Sequence, residues 1–218
     1  MTGVPAEVTA PPRAASDTRA AVVEASGLSL VFQTADAPVT ALSDVDLTIA
    51  KGDFVSLIGP SGCGKTTLMR AVADLERPTS GTLLVNGVTP ERARLDRAYG
   101  YVFQAPALYP WRTVERNVML PHEIMGRPRA ERRERAQRYL DLVGLKGFER
   151  KYPWQLSGGM QQRVSIARAM SFEPALLLMD EPFGALDEIT RDTLNLHLLK
   201  LWAQTGLTVV FVTHSIPE

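Results

Sequence analysis

The sequence predicts an α/β fold built around a phosphate-binding loop, on three observations. Gly59-Pro60-Ser61-Gly62-Cys63-Gly64-Lys65-Thr66-Thr67 follows the apolar run Phe54-Val55-Ser56-Leu57-Ile58 and precedes Leu68-Met69-Arg70-Ala71-Val72. A glycine-rich loop thus lies between a buried-strand candidate and a helix candidate. Two more apolar runs, Ala175-Leu176-Leu177-Leu178-Met179 and Leu207-Thr208-Val209-Val210-Phe211-Val212, have the pattern of parallel strands covered on both faces, and each ends on polar residues. Between about Ala105 and Glu173 helical periodicity replaces the strand pattern, which predicts a helical insertion in the α/β core.

Composition is consistent with that fold and narrows the partners. At 218 residues and 45% hydrophobic content the chain can bury a sizeable core. Its 24 basic residues equal its 24 acidic ones, so no overall field argues for nucleic acid or an anionic membrane. No apolar run approaches the roughly 20 residues of a membrane span, and the N-terminus lacks a signal peptide's apolar region, so a cytoplasmic protein is expected. Cys63, the one cysteine, reads as a small side chain of the loop.

In chain order, residues 1–20 are rich in Ala, Pro and Thr without apolar periodicity and read as a disordered tail. Val22-Val23-Glu24-Ala25 and Leu28 to Phe32 are short strand candidates, followed by a polar loop around Ala35 to Pro38. Leu42 to Ile49 alternates as a strand does, and Lys51-Gly52-Asp53 is a turn. Phe32, at a strand end, suits a purine stack or a core position equally well. After the first helix, Thr82 to Val85 is a strand, Asn86-Gly87 signals a hairpin, and Tyr99 to Gln104 is a strand ending on a polar side chain. Arg129 to Val143 is an amphipathic helix and Ser165 to Met170 a short buried one. From Gly126 to Lys151 nine basic residues face four acidic ones; a solvated helix face explains this better than a nucleic-acid surface, since no aromatics interleave.

The loop fits G-x-x-x-x-G-K-[ST], whose backbone N–H groups and following helix suit a chain of phosphates. Lys65 is then placed to reach the β- and γ-phosphates and Thr66 to offer its hydroxyl to Mg²⁺. Ligands in parallel sheets sit beyond the carboxyl ends of strands, where this chain puts Asp180 and Glu181. Asp180 suits Mg²⁺, and Glu181 suits polarising the water that attacks the γ-phosphate. A lone histidine at a strand end is more often structural, but His214 shares that edge and is a candidate to meet the γ-phosphate.

Leu156-Ser157-Gly158-Gly159-Met160-Gln161-Gln162-Arg163 resembles the signature motif of ABC-type ATPases, and the other motifs stand in that family's order from about Val22 onward. The resemblance implies a mixed sheet, an antiparallel β-subdomain plus a parallel core, with an inserted helical signature subdomain at about 105–173. It makes Phe32 the adenine-stacking aromatic, Gly59 to Thr67 the phosphate loop, Gln104 the Q-loop glutamine that also meets the metal, and Leu176 to Glu181 the Walker B strand with its catalytic glutamate. Ala185-Leu186-Asp187 becomes the D-loop and His214 the switch histidine. Ser157, Gly158 and Gly159 open a helix and so form a second anion site, which with Gln161 and Asp187 implies a head-to-tail dimer closing on ATP and Mg²⁺.

Leu108 to Val118 is similar to the segment after the Q-loop in importers of the nitrate, sulfonate, taurine and pyrimidine-precursor type. There, such a segment receives a helix of the membrane permease; Trp111 is the residue expected in that groove, a core aromatic being the alternative. The resemblance implies a peripheral protein on the cytoplasmic face of the membrane, with an extracytoplasmic solute-binding protein as a further partner and no nucleic acid. A soluble ABC protein acting on nucleic acid or the ribosome, and a chain that binds ATP without hydrolysing it, are the rivals. The sequence stops four residues after His214, where family members continue, and the expectation is a missing sheet edge.

Overall fold

The computed structural model describes residues 19–183 and 188–213. Of the expected tail at 1–20, residues 1–18 lie outside the described residues, as do the D-loop Ala185-Leu186-Asp187 and His214, whereas Arg19 is described and pairs with Asp53. In chain order the elements are β1 (Ala21–Phe32), β2 (Val39–Ala50), β3 (Phe54–Ile58), α1 (Lys65–Val72), β4 (Ser80–Val85), α2 (Pro90–Leu95), β5 (Tyr99–Val102), α3 (Val114–Ile124), α4 (Arg129–Leu142), α5 (Gly158–Met170), β6 (Leu176–Asp180), α6 (Glu188–Thr205) and β7 (Thr208–Thr213). They fall into two compact units, residues 1–99 with 208–218 and residues 100–207.

In the first unit β2, β1 and β4 form an antiparallel sheet in that order. The two short strands expected before the loop are one 12-residue strand, β1, which passes through Ser26-Gly27 by shifting register against both neighbours. Its inward residues Val23, Ala25, Leu28 and Leu30 are buried together with Leu42 and Ile49 of β2, as the alternation requires. Asn86-Gly87 does turn the chain, but into α2 and not into a second strand. The hairpin turn itself forms, Val85 and Val88 exchanging backbone hydrogen bonds across it, but no strand continues because the Thr89 hydroxyl accepts from the Arg92 N–H and Pro90 occupies the first helical position.

β3 pairs in parallel with β7, from Phe54 opposite Val209 to Ile58 opposite Thr213. The Gly52 N–H donates to the Thr208 hydroxyl at 3.0 Å, and the Val209 N–H to the Asp53 carbonyl at 2.8 Å, so the turn before β3 is tied to the start of β7. The expectation of a strand buried on both faces holds for β7, whose first five residues are all buried, while the buried strand expected at β3 is only partly covered. Only Leu57 of β3 is buried and Ile58 is 46% exposed. Among the described residues β3 has a strand neighbour on one side alone, which an apolar run cannot reveal.

In the second unit α3, α4 and α5 pack on one another, while β5 and β6 are neighbouring strands. The expected short helix at Ser165 is the end of a 13-residue α5 that starts at Gly158, since Ser157 caps it. The excess of arginine is largely taken up inside this unit. Arg127 and Arg135 flank Glu131, Arg135 and Arg138 meet Glu173, and Arg133 meets Glu115. The exposed members of such pairs contribute little, so packing holds the helices.

His122 of α3 is fully buried. Burial, then the charges of Arg127 and Arg135, hold its ring below the usual histidine pKa, with the Ser171 backbone and Glu131 opposing. An unfolded histidine takes up its proton near pH 6.5, so the stability tied to this ring is whole above that pH and falls as pH drops below it. Replacing the ring as His122→Gln should flatten the dependence of the urea midpoint on pH between about 7 and 5. The same slope in parent and variant would contradict the account.

Candidate functional site

The phosphate loop leaves β3 at Ile58 and enters α1 at Lys65. Gly64 caps that helix in the left-handed region, φ 100°, and a Cβ there would stand 2.5 Å from the Ala41 carbonyl oxygen of β2. Only glycine lets the loop lie this close to the sheet. Lys65 Nζ donates to the carbonyls of Gly59 at 2.7 Å and Pro60 at 2.8 Å and lies 3.5 Å from Cys63 Sγ, so the loop curls around its own ammonium. With no acidic residue in the first turn, the N-terminal N–H groups of α1 keep their positive field for an anion. Ser61 and Gly62 are exposed, Thr66 and Thr67 half-buried in the first turn, and Phe32 half-buried at the end of β1.

In the second unit, β6 is buried along its whole length and delivers Asp180, 8% exposed, at its carboxyl end. The Tyr101 hydroxyl of β5 lies 3.5 Å from Asp180 Oδ2. Glu181 turns out of the strand with φ 43°, a left-handed conformation that costs a non-glycine residue about 1–3 kcal/mol. Gln104 Nε2 donates to Glu181 Oε2 at 3.1 Å, so the structure joins two predicted residues 77 positions apart.

Ser157 and Gly158 are exposed at the start of α5, where the Ser157 hydroxyl accepts from the Met160 N–H at 3.3 Å, and Gly159 is buried. Gln161 turns back, its Nε2 donating to the Leu156 carbonyl at 3.3 Å. Trp111 is 69% exposed, which removes the core alternative. Its ring lies 5.1 Å from that of Tyr109, which also carries the Arg112 guanidinium over its face.

Sequence reasoning missed Asn117. It is fully buried on α3; its side-chain oxygen accepts from the Tyr109 N–H, and the two hydrogens of its NH₂ group are shared among the carbonyls of Tyr109, Arg112 and Thr113. A polar residue between Val114 and Val118 on the inward face was the available signal. This one amide shapes the loop that displays Trp111.

The donors offered by Thr66, Asp180 and Gln104 are hard oxygens, and no cluster of three or more His, Cys, Asp or Glu side chains able to hold a metal occurs among the described residues. Thr66 belongs to the first unit and Asp180 and Gln104 to the second, and each offers the kind of oxygen that Mg²⁺, which keeps several waters, takes alongside phosphate.

A family model described as ABC transporter matches residues 42–184. An uncharacterized ABC transporter ATP-binding protein of Methanocaldococcus jannaschii is 47% identical over 196 residues, 90% of this chain and 73% of that protein. A taurine import ATP-binding protein of Roseobacter denitrificans is 43% identical over 194 residues, 88% of this chain and 72% of that protein. Among solved structures, a dimeric post-hydrolysis state of an ATP-binding cassette bound to ADP and Pi aligns with TM-score 0.78 and 37% identity, covering 88% of each chain. The fold is that of ATP-binding cassettes, with antiparallel and parallel sheets beside helices, as expected.

The close approach of Gly64 to β2 makes a direct test. Gly64→Ala should lower the free energy of unfolding by about 1–3 kcal/mol through the strained φ alone, with the clash against Ala41 adding to it. Urea unfolding measures the difference, and a midpoint equal to the parent's would show that the loop does not need glycine there.

Proposed function

Because the chain belongs to the ABC transporter ATP-binding family, we propose that it is the ATP-hydrolysing subunit of an importer for a small solute of the nitrate, sulfonate or taurine class. The pairing of Gln104 with Glu181 at the end of a buried strand carries this reading, since it supplies an oriented carboxylate to a chain that also holds a phosphate loop. The loop amides and the N-terminus of α1 bind the triphosphate, and Lys65 exchanges its loop carbonyls for phosphate oxygens. Thr66, Asp180 and Gln104 would hold Mg²⁺, which neutralises charge on the phosphates. Glu181 accepts a hydrogen bond from the attacking water and orients it toward the γ-phosphorus.

Partners follow from the exposed ends of these elements. Ser157 and Gly158 stand in solvent at a capped helix start, which suits the nucleotide of a second subunit packed head to tail. The Tyr109, Trp111 and Arg112 surface suits a helix of a membrane permease, and a solute-binding protein would deliver the cargo. No helix among the described residues is long and apolar enough to cross a membrane, in keeping with peripheral attachment to a permease at the cytoplasmic face.

Glu181→Gln keeps shape and removes the base, so phosphate release should fall by about 10²–10⁴-fold with ATP affinity retained. Wild-type turnover in that variant would sink the assignment. Lys65→Ala should instead weaken ATP binding itself, read by titration with a fluorescent ATP analogue. For the permease surface, Trp111→Ala should leave ATP binding intact and reduce co-purification with the membrane subunits. Unfolding of the isolated subunit, or undiminished assembly, would contradict the docking role.

A further inference from the structure

Gln162 sits a turn and a half into α5 on its inward face, 2% exposed. Packing alone would favour an apolar residue there, since a buried amide is unfavourable unless it makes a hydrogen bond. Its Nε2 donates to the carbonyl of Phe103 at 3.2 Å. Phe103 directly precedes Gln104, whose Nε2 donates to Glu181 Oε2. Six residues on, Arg168 of the same helix donates to the carbonyls of Ala107 at 2.8 Å and Pro106 at 3.0 Å. The segment between these anchors has left β5, and Ala107 holds φ 47°, a conformation that surrounding contacts must sustain.

The geometry points to Gln162 as a positioning residue for hydrolysis. It fixes the backbone at Phe103 so that the next side chain, Gln104, meets Glu181. The helix whose first turn is capped by Ser157 is thereby tied to the carboxylate that orients water. Arg168 secures the far end of the same segment, leaving the Phe103 carbonyl as the anchor beside Gln104. This inference rests on the ATPase reading and adds to it the route by which α5 acts on the reacting centre.

The test is a double-mutant cycle on ATP hydrolysis by the full chain with MgATP. Gln162→Met keeps length and removes the donor; kcat should fall by about fivefold or more while KM for ATP stays within about twofold. In a Gln104→Ala background the same substitution should change kcat by less than about twofold, because both act through one side chain. Wild-type kcat in Gln162→Met, or a loss that multiplies in full on Gln104→Ala, would overturn the proposal, since a merely structural role gives independent factors. If circular dichroism shows that Gln162→Met has not folded, Gln162→Leu carries the same cycle, an apolar side chain with no donor for the Phe103 carbonyl. A parent that releases no phosphate would refute the ATPase reading itself. A parent that turns over while the cycle is additive would refute only the role of Gln162.

Discussion

The five residues of β6 are all buried, and this confinement governs the chemistry around them. A strand with no solvated face has no place for charge except where it ends, and there the chain sets Asp180 and Glu181 side by side. Asp180 stays in the protected part of the strand end beside the Tyr101 hydroxyl. Glu181 turns away with a left-handed backbone, so two adjacent carboxylates face different surroundings. The strain is offset by the packing that fixes β6 and by the hydrogen bond from Gln104. One carboxylate suited to a metal and one suited to water thus come from a single dipeptide.

The phosphate loop solves a different problem, that of gathering backbone donors without a side chain in the way. Gly64 permits the loop to rest on β2, and Lys65, held by two loop carbonyls, keeps the curve closed. The helix that follows starts without a neutralising acid, so its dipole adds to the lysine charge. Ser157 opens α5 in a similar way but stands exposed. Each feature is local, and each needs only a strand or helix rigid enough to hold a loop.

Local chemistry is also why so much was legible in the sequence. The phosphate loop, the Asp180-Glu181 strand end and the Ser157 helix start are each written in fewer than ten consecutive residues. What stayed hidden depends on distant partners. The run Phe54 to Ile58 is apolar but for Ser56 and reads as buried like Leu176 to Met179, yet β3 is half open and β6 is sealed, because burial is decided by what lies alongside a strand. The β1 bulge, which joins two apparent strands into one, is a property of its pairing with β2 and β4. α2 went unread, although Thr89-Pro90, a capping hydroxyl followed by a first-turn proline, was the signal for it. Asn117 and Gln162 are buried amides whose partners are carbonyls, and a carbonyl leaves no trace in a sequence.

The central claim is that the Gln104 and Glu181 pair directs a water molecule at the γ-phosphorus of ATP. The most direct measurement is hydrolysis of MgATP by the chain in water enriched in heavy oxygen, with both products analysed by mass spectrometry. The account predicts the label in the released phosphate and none in ADP, because the attacking water oxygen stays with the phosphorus it strikes. Label in ADP, or phosphate formed without label, would contradict it.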